Sequence, residues 1–397
     1  MNQNSKEYCE EYIKAGSKCI CKAKILRTDG KNVCGRHTKI KKQLESKQQV
    51  ESKQQVESKQ QVESKQQVES KQQVESKQQV ESKLNVIDLF CGCGGMSKGL
   101  IQSGFNIIAG IDIWDKAIDN YKKNFEHQAI CQDIRQLSPE QFNIEYNPKK
   151  LQVDLIVGGP PCQGFSIAGR RDTKDPRNSL FMEYVKYLDY FKPRTFIMEN
   201  VIGILSMKTE TGEKVIDIIL AQLNINYNCI VTKLYASDFG VPQNRRRTII
   251  IGIRKQLNII PIVPETQTER IPVGSVLLAR ENIDKSYYLS ERAITGINNK
   301  KAKSIENGSG FGAQYLDMNK PSYTIPARYW RDGYDALVKY SDVEIRRLTI
   351  LELKRIQSFP DDYILEGTKK DIITQIGNAV ACKFAYHLGR YIINILQ

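Results

Sequence analysis

From Leu84 onward, short apolar runs alternate with stretches of helical period, and this alternation restricts the fold more than any other feature. The runs NVIDLF, FNIIAGIDI, VDLIVGG, TFIMENV, NCIVTKLYA and RTIIIGIR have strand length and strand composition. Stretches such as WDKAIDNYKKNF and GEKVIDIILAQL stand between them and repeat their apolar residues at helical spacing. Apolar strands alternating with amphipathic helices predict an α/β fold, a mostly parallel sheet with helices on both faces. The rhythm breaks between about residues 255 and 340, which are polar and turn-rich. It returns in LTILELKRIQSF and GNAVACKFAYHLGRYIINIL. The expectation is a main body over 84–254, a small irregular domain over 255–340, and a C-terminal part, 341–397, that completes the body.

Before Leu84 the composition changes twice. Residues 1–43 are short, basic and cysteine-rich, and residues 44–83 carry the hexapeptide ESKQQV six times, closed by a final ESK. A valine every sixth residue advances about 600° around a helix, so successive valines point in three directions and no apolar stripe forms. Lys47 and Glu51 stand at i, i+4 in the less favourable order. The segment reads as a solvated tether, either disordered or a lone helix.

Lysine and arginine outnumber the acids by 59 to 45, giving +14. That excess suits a polyanionic partner such as nucleic acid, although lysine-rich surfaces also serve solubility. No apolar run is long enough to span a bilayer. The N-terminus lacks the apolar core of a secretory signal, so an intracellular, membrane-free protein is expected. The ten cysteines form no evenly spaced secreted framework. In a reducing compartment they read as metal ligands, catalytic groups or buried thiols.

Four clusters carry chemistry. The first is DLFCGCGG, Asp88 to Gly95, between a strand and a helix, where glycines let the backbone turn tightly and approach a ligand. Acids follow at the ends of the next two strands: Asp112, with Asp115 as a weaker rival, and Asp133. Carboxylates bind ribose hydroxyls or an adenine amino group, and Trp114 could stack on an adenine face. The second is VDLIVGGPPCQGFSIAGRR, where two prolines stiffen the chain and hold Cys162 at a strand's carboxyl end, where ligands bind in such sheets. The loop after it carries Arg170, Arg171, Lys174 and Arg177 and suits phosphates. The third is TFIMENV, which ends in Glu199 and Asn200. The fourth is SDFGVPQNRRRTIIIGIR, where Gln243, Arg245 and Arg247 alternate into a strand and the two arginines share a face toward an anionic or carbonyl target. The plain alternatives are a ligand-free turn, a buried thiol, a strand-end cap and a solvated arginine run.

Taken in order, DLFCGCGG, GIDIWDKA, QDI, GGPPCQGFS, MENV, QNRRR, RRLTILELKRIQSFP and QIGNAVA resemble the C5-cytosine DNA methyltransferases, from about Leu84 to the C-terminus. Cys91 stands where that family usually has Ala or Ser. The resemblance implies a Rossmann-like methyltransferase sheet and a reaction on a cytosine flipped out of duplex DNA. It implies that Cys162 attacks carbon 6, that Glu199 holds or shares a proton at ring nitrogen 3, that Arg247 donates to the base carbonyl, and that Arg245 lies beside the thiol. S-adenosylmethionine would be held by Asp88, Phe90, Gly92, Gly94, Asp112, Trp114, Asp133, Pro160, Asn378 and Val380. Residues 255–340 become a target-recognition domain. Within it PSYTIPARYWRDG offers Arg328 and Arg331, to read guanine or to contact phosphate. Gln163, Ser166, Arg170, Arg171 and Gln243 join them as expected DNA contacts. The resemblance also implies a monomer, and a restriction endonuclease is one cognate partner such an enzyme can have.

In the N-terminal module, Cys34 and His37 have ligand-like spacing, and Cys9 with Cys19 could complete a zinc site. Reduced, unliganded thiols are the equal alternative. Eleven basic residues against four acidic ones in 1–42 favour phosphate contact. Two rivals remain for the whole chain. A transfer-RNA cytosine methyltransferase would usually carry a different sequence after Pro-Cys-Gln. A catalytically dead DNA-binding regulator should have lost Cys162, Glu199 or the glycines.

Overall fold

The computed structural model describes residues 83–161, 179–209, 211–266, 269–306 and 313–397, with a two-residue antiparallel ladder pairing Ile25–Leu26 and Asn32–Val33. The chain divides into Met1–Ser82, which holds that ladder, and Lys83–Gln397. The hexapeptide repeat up to Ser82 and Cys9, Cys19, Cys34 and His37 lie outside the described residues.

The second unit is built on seven strands: β1 (Asn85–Leu89), β2 (Asn106–Asp112), β3 (Gln128–Cys131), β4 (Leu155–Gly158), β5 (Thr195–Asn200), β6 (Tyr227–Tyr235) and β7 (Arg246–Arg254). Their order in the sheet is β3-β2-β1-β4-β5-β7-β6. The first five are mutually parallel, whereas β7 runs antiparallel to both of its neighbours. The central strands are buried along almost their whole length, as expected where both faces are covered.

Side-chain alternation divides the core between the two faces. In β7, Ile249 and Ile251 pack with Val86, Val157 and Ile197 on one face, while Ile250 between them joins Ile87, Phe196 and Met198 on the other. The first face is covered by α1 (Gly95–Ser103) and α10 (Cys382–Leu396), through Met96, Leu100, Phe384, Ala385, Leu388 and Ile392. The second is covered by α3 (Pro139–Glu145), α4 (Ser179–Phe191) and α5 (Val215–Leu223), through Phe142, Tyr184, Leu188, Ile216 and Ile219. Helix α2 (Asp115–Asn124) follows β2. Gly99 lets α10 come close to α1: a Cβ there would lie 2.2 Å from the Cys382 carbonyl oxygen.

Residues beyond β7 add α6 (Glu291–Glu306), α7 (Tyr329–Asp332) and a ladder of β8 (Leu337–Lys339) with β9 (Ile345–Arg347). Their core is shared with α8 (Ile350–Ile356) and α9 (Lys369–Asn378): Val273, Ile325, Tyr329 and Val338 meet Leu353, Ile356, Ile372 and Ile376. Both of these helices begin with capping boxes, Thr349 with Glu352 and Thr368 with Asp371, which satisfy the first free amides. A fully buried ion pair braces the junction. Arg346 Nη1 and Nη2 donate to Glu352 Oε2 and Oε1, each at 2.8 Å.

Candidate active site

The carboxyl ends of β1, β2, β4 and β5 open into one cleft of ≈ 680 Å³. This edge is where ligands bind in sheets of this kind, and the volume suits a cofactor-sized molecule. The turn after β1 is unusual. Phe90 has φ 61, a left-handed conformation that costs a residue with a side chain, and Gly92 and Gly94 follow with φ 54 and 92. The turn is fastened by Asp112 at the end of β2. Its Oδ2 accepts from Gly92 N at 2.8 Å, and its Oδ1 accepts from Trp114 N at 2.9 Å. Burial raises the Asp112 pKa above the ordinary carboxylate value, partly offset by these amide donors.

Asp88, Phe90, Gly92, Asp112, Trp114, Asp133, Pro160, Asn378 and Val380, all expected at the cofactor, line this cleft. Gly94, adjacent to them, is the N-cap of α1 and has no side-chain cap. Like Asp112, the other two acids have partners within the protein. Asp133 accepts from Arg135 Nε at 3.0 Å, and that guanidinium holds its pKa below the usual range. Asp88 is buried and accepts from Ser97 Oγ at 2.6 Å. Ser97 Oγ also lies 2.7 Å from Tyr121 Oη, which lies 2.7 Å from His127 Nε2. Burial pushes Asp88 up to about 7 and His127 down to about 4.

The other wall carries Glu199, Arg245 and Arg247. Arg247 Nε lies 2.7 Å from Glu199 Oε1, with both side chains mostly covered. Gly159 makes room beside them: a Cβ there would stand 3.2 Å from Glu199 Oε2. Asn200 Nδ2 donates to the Pro160 carbonyl at 2.9 Å and so ties β5 to the double proline. Arg245 is buried, and its Nε and Nη1 have no partner among the described residues. Burial first, and then the neighbouring Arg247, lower its pKa to about 9. Arg246, between the two, is exposed. Pro160 and Pro161 line the cleft, and Cys162, Gln163, Ser166, Arg170 and Arg171 lie outside the described residues.

One expected DNA contact is corrected. Gln243 is fully buried; its Nε2 donates to Gln357 Oε1 at 3.0 Å, and its Oε1 accepts from Ile325 N at 3.0 Å. Its amide joins the segment at 325 to α8 and is not presented to solvent. Arg328 is exposed and ion-paired with Asp335 at 3.0 Å, and Arg331 is exposed. Among the described residues no group of three or more His, Cys, Asp or Glu is placed to hold a metal, and no helix is long and apolar enough to cross a membrane. Sequence reasoning missed Asn120 and Gln375, which meet beside the cleft (Asn120 Nδ2 to Gln375 Oε1, 3.0 Å) from positions far apart in the chain. The QIGNAV block was the available signal for Gln375.

A mostly parallel sheet with a glycine turn, strand-end acids and a cleft at its switch point defines a Rossmann-like, nucleoside-binding enzyme. The comparisons make this specific. The family model of the C-5 cytosine-specific DNA methylases matches residues 84–394. The type II methyltransferase M.HindV of Haemophilus influenzae is 34% identical over 313 residues, covering 78% of this chain and 97% of that protein. M.DdeI of Desulfomicrobium norvegicum is 47% identical over 175 residues, covering 43% of this chain but 41% of that protein. The structure of the Entamoeba histolytica methyltransferase EhMeth shares the fold, with TM-score 0.62 and 21% identity over 80% of this chain and 99% of that one. The chain belongs to the C-5 cytosine-specific DNA methylase family. Methylation of cytosine in DNA is the activity that membership carries, with S-adenosylmethionine as methyl donor. The cleft fits that molecule: it offers carboxylates for hydroxyl and amino groups, a half-buried indole, and the uncapped amides of α1 for an anionic end.

Proposed function

We propose that the chain methylates carbon 5 of a cytosine flipped out of duplex DNA at a specific sequence, through a covalent adduct on Cys162. The observation that carries the reading is the Arg247–Glu199 pair, which lines the same cleft as Pro161, the residue bonded to Cys162. The Cys162 thiolate forms a bond to carbon 6, and the electrons of the ring double bond move toward the N3–carbonyl side. Glu199 supplies or shares a proton at N3, and Arg247 donates to the carbonyl oxygen, so the charge does not accumulate. Bound S-adenosylmethionine supplies an electrophilic methyl group for carbon 5. Loss of the carbon-5 proton to solvent then restores the double bond and expels the Cys162 thiolate, and the N3 proton returns to Glu199.

Phe90, Gly92, Gly94, Asp88, Asp112, Trp114, Asp133, Pro160, Asn378 and Val380 hold the methyl donor in this reading. Residues 255–340 form the target-recognition domain between the catalytic segments 84–254 and 341–397. Arg328 and Arg331 face DNA there, and Arg328 exchanges Asp335 for phosphate or guanine. Gln163, Ser166, Arg170 and Arg171 follow Cys162 closely enough in sequence to contact the opened duplex. Zinc on Cys9, Cys19, Cys34 and His37 rests on ligand spacing alone. A cognate restriction endonuclease is supported by relatives that are type II methyltransferases, and a monomer by the family resemblance.

The test is transfer of tritiated methyl from S-adenosylmethionine to mixed-sequence DNA, read at base resolution, beside Cys162→Ala. Label on cytosine carbon 5 that vanishes in the variant is expected. Label that persists in Cys162→Ala, or that goes to RNA in preference to DNA, would overturn the reading.

A further inference from the structure

We infer that Gln375 is a further cofactor-binding residue, whose side-chain N–H donates a hydrogen bond to the carboxylate of the methionine part of S-adenosylmethionine. The inference rests on the cofactor site proposed above and deepens it.

Gln375 stands in the last turn of α9 and is 2% exposed. The orientation of its amide is set from α2. The Glu366 amide N–H donates to Asn120 Oδ1 at 2.9 Å, which decides which end of the Asn120 amide is oxygen. Asn120 Nδ2 must then donate, and it does so to the Glu366 carbonyl and to Gln375 Oε1, both at 3.0 Å. The oxygen of Gln375 is therefore turned toward α2, and Nε2 is turned away from it. Gln375 lines the cleft, and its Nε2 is buried without a hydrogen-bond partner among the described residues. A buried donor with no acceptor is costly and uncommon, and it marks a place where an acceptor belongs.

The surroundings say which acceptor. The carbonyl of Gln375 accepts from Cys93 Sγ at 3.8 Å, so this turn of α9 lies against the chain just before α1. Helix α1 starts at Gly95 with no side-chain cap, and Gly95 is packed against Ala379 and the Val380 carbonyl. The open amides of α1, the positive end of its dipole and the Gln375 N–H thus belong to one end of the cleft. Asp112, whose two oxygens already accept from Gly92 and Trp114, and Asp133, which is held by Arg135, belong to the strand ends of β2 and β3. Of the groups on S-adenosylmethionine, the carboxylate is the anionic acceptor, and the donor-rich end is where it fits.

Gln375→Glu isolates the effect, because it keeps an oxygen for Asn120 and replaces the donor with an acceptor. Gln375→Met, of similar length and without polar hydrogens, is the second variant. Calorimetric titration of the full chain compares S-adenosylhomocysteine with 5′-methylthioadenosine, which lacks the amino-acid part. Both variants should bind S-adenosylhomocysteine about tenfold or more weakly, as expected for a hydrogen bond to a charged group. They should bind 5′-methylthioadenosine as the parent does, which also shows that they are folded. Unchanged affinity for S-adenosylhomocysteine overturns the inference, and so does equal weakening for both ligands, which would make Gln375 purely structural. A parent chain that binds neither ligand overturns the cofactor reading beneath it.

Discussion

Arg247 Nε and Glu199 Oε1 meet at 2.7 Å because β5 and β7 run in opposite directions, with Glu199 opposite Ile249 and Asn200 opposite Thr248. The reversed strand brings its first residues to the carboxyl end of β5, where the cleft is. Glu199→Gln keeps the shape and removes both the charge and the shared proton. Turnover should fall by about a hundredfold or more, as for other acid–base groups, with cofactor affinity unchanged. Single-turnover methylation and a cofactor titration check this. Unchanged turnover would remove Glu199 from the chemistry.

Asp88 makes stability depend on pH. Burial holds its folded pKa at about 7, against the ordinary 3.8. Between those values the folded chain keeps a proton that the unfolded chain releases. Stability therefore falls as pH rises from about 4 to 7 and then levels off, by up to about 4 kcal/mol. Asp88→Asn keeps an oxygen for Ser97 and removes the charge. Its gain in melting temperature over the parent should grow across that range and stay constant above it. His127 has the opposite slope, since its lowered pKa costs stability as pH falls from 6.5 toward about 4. Comparing the two proteins at each pH largely cancels it. A gain that does not change with pH would contradict the assignment of an ionisable, buried Asp88.

Glu352 is wholly buried against Arg346 and also accepts from Thr349 N at 2.8 Å and Leu278 N at 3.0 Å. Glu352→Ala leaves a buried guanidinium and two amides unpaired, and should cost about 3–5 kcal/mol in urea unfolding. The double variant Arg346→Met, Glu352→Leu should recover much of that loss, because the desolvated charges go together. Failure of the double variant to recover would show that the amide bonds, rather than the charge pair, set the cost.

Gly377 stands where α9 touches the segment at 326–327. A Cβ there would fall 2.5 Å from both Ala327 Cα and Ala327 N. Backbone cannot yield as a side-chain tip can, so Gly377→Ala should destabilise by about 1–3 kcal/mol or more. Thermal unfolding measures it. Melting at the parent temperature would mean that this contact is looser than the structure has it.

The parts of this molecule that could be read from the sequence are those encoded locally. Strand ends, the glycine turn and the acids after it declare themselves within about ten residues, because one strand and one turn place them. The reversed direction of β7 does not show in RTIIIGIR, since an apolar strand looks the same in either direction. Gln243 was misread for a related reason. Its neighbours are polar and suggest surface, yet it is covered by Ile325 and Gln357, residues that approach it only in three dimensions. Asn120 and Gln375 were invisible as a pair because 255 residues separate them. Cys162 was named from its prolines and lies outside the described residues.

The packing of α10 on α1 has a consequence for how the chain is made. Val86, Met96 and Leu100 are among the first residues of the sheet unit to leave the ribosome, and Phe384, Leu388 and Ile392, which bury them, are among the last. At ~5–20 residues per second the wait is roughly 15–60 s. Until α10 has been made, that face of the sheet is covered by α1 alone. A nascent chain, or one truncated before α10, therefore presents an apolar surface to chaperones and proteases, and the cofactor cleft, walled by Asn378 and Val380, is finished only once those late residues have emerged.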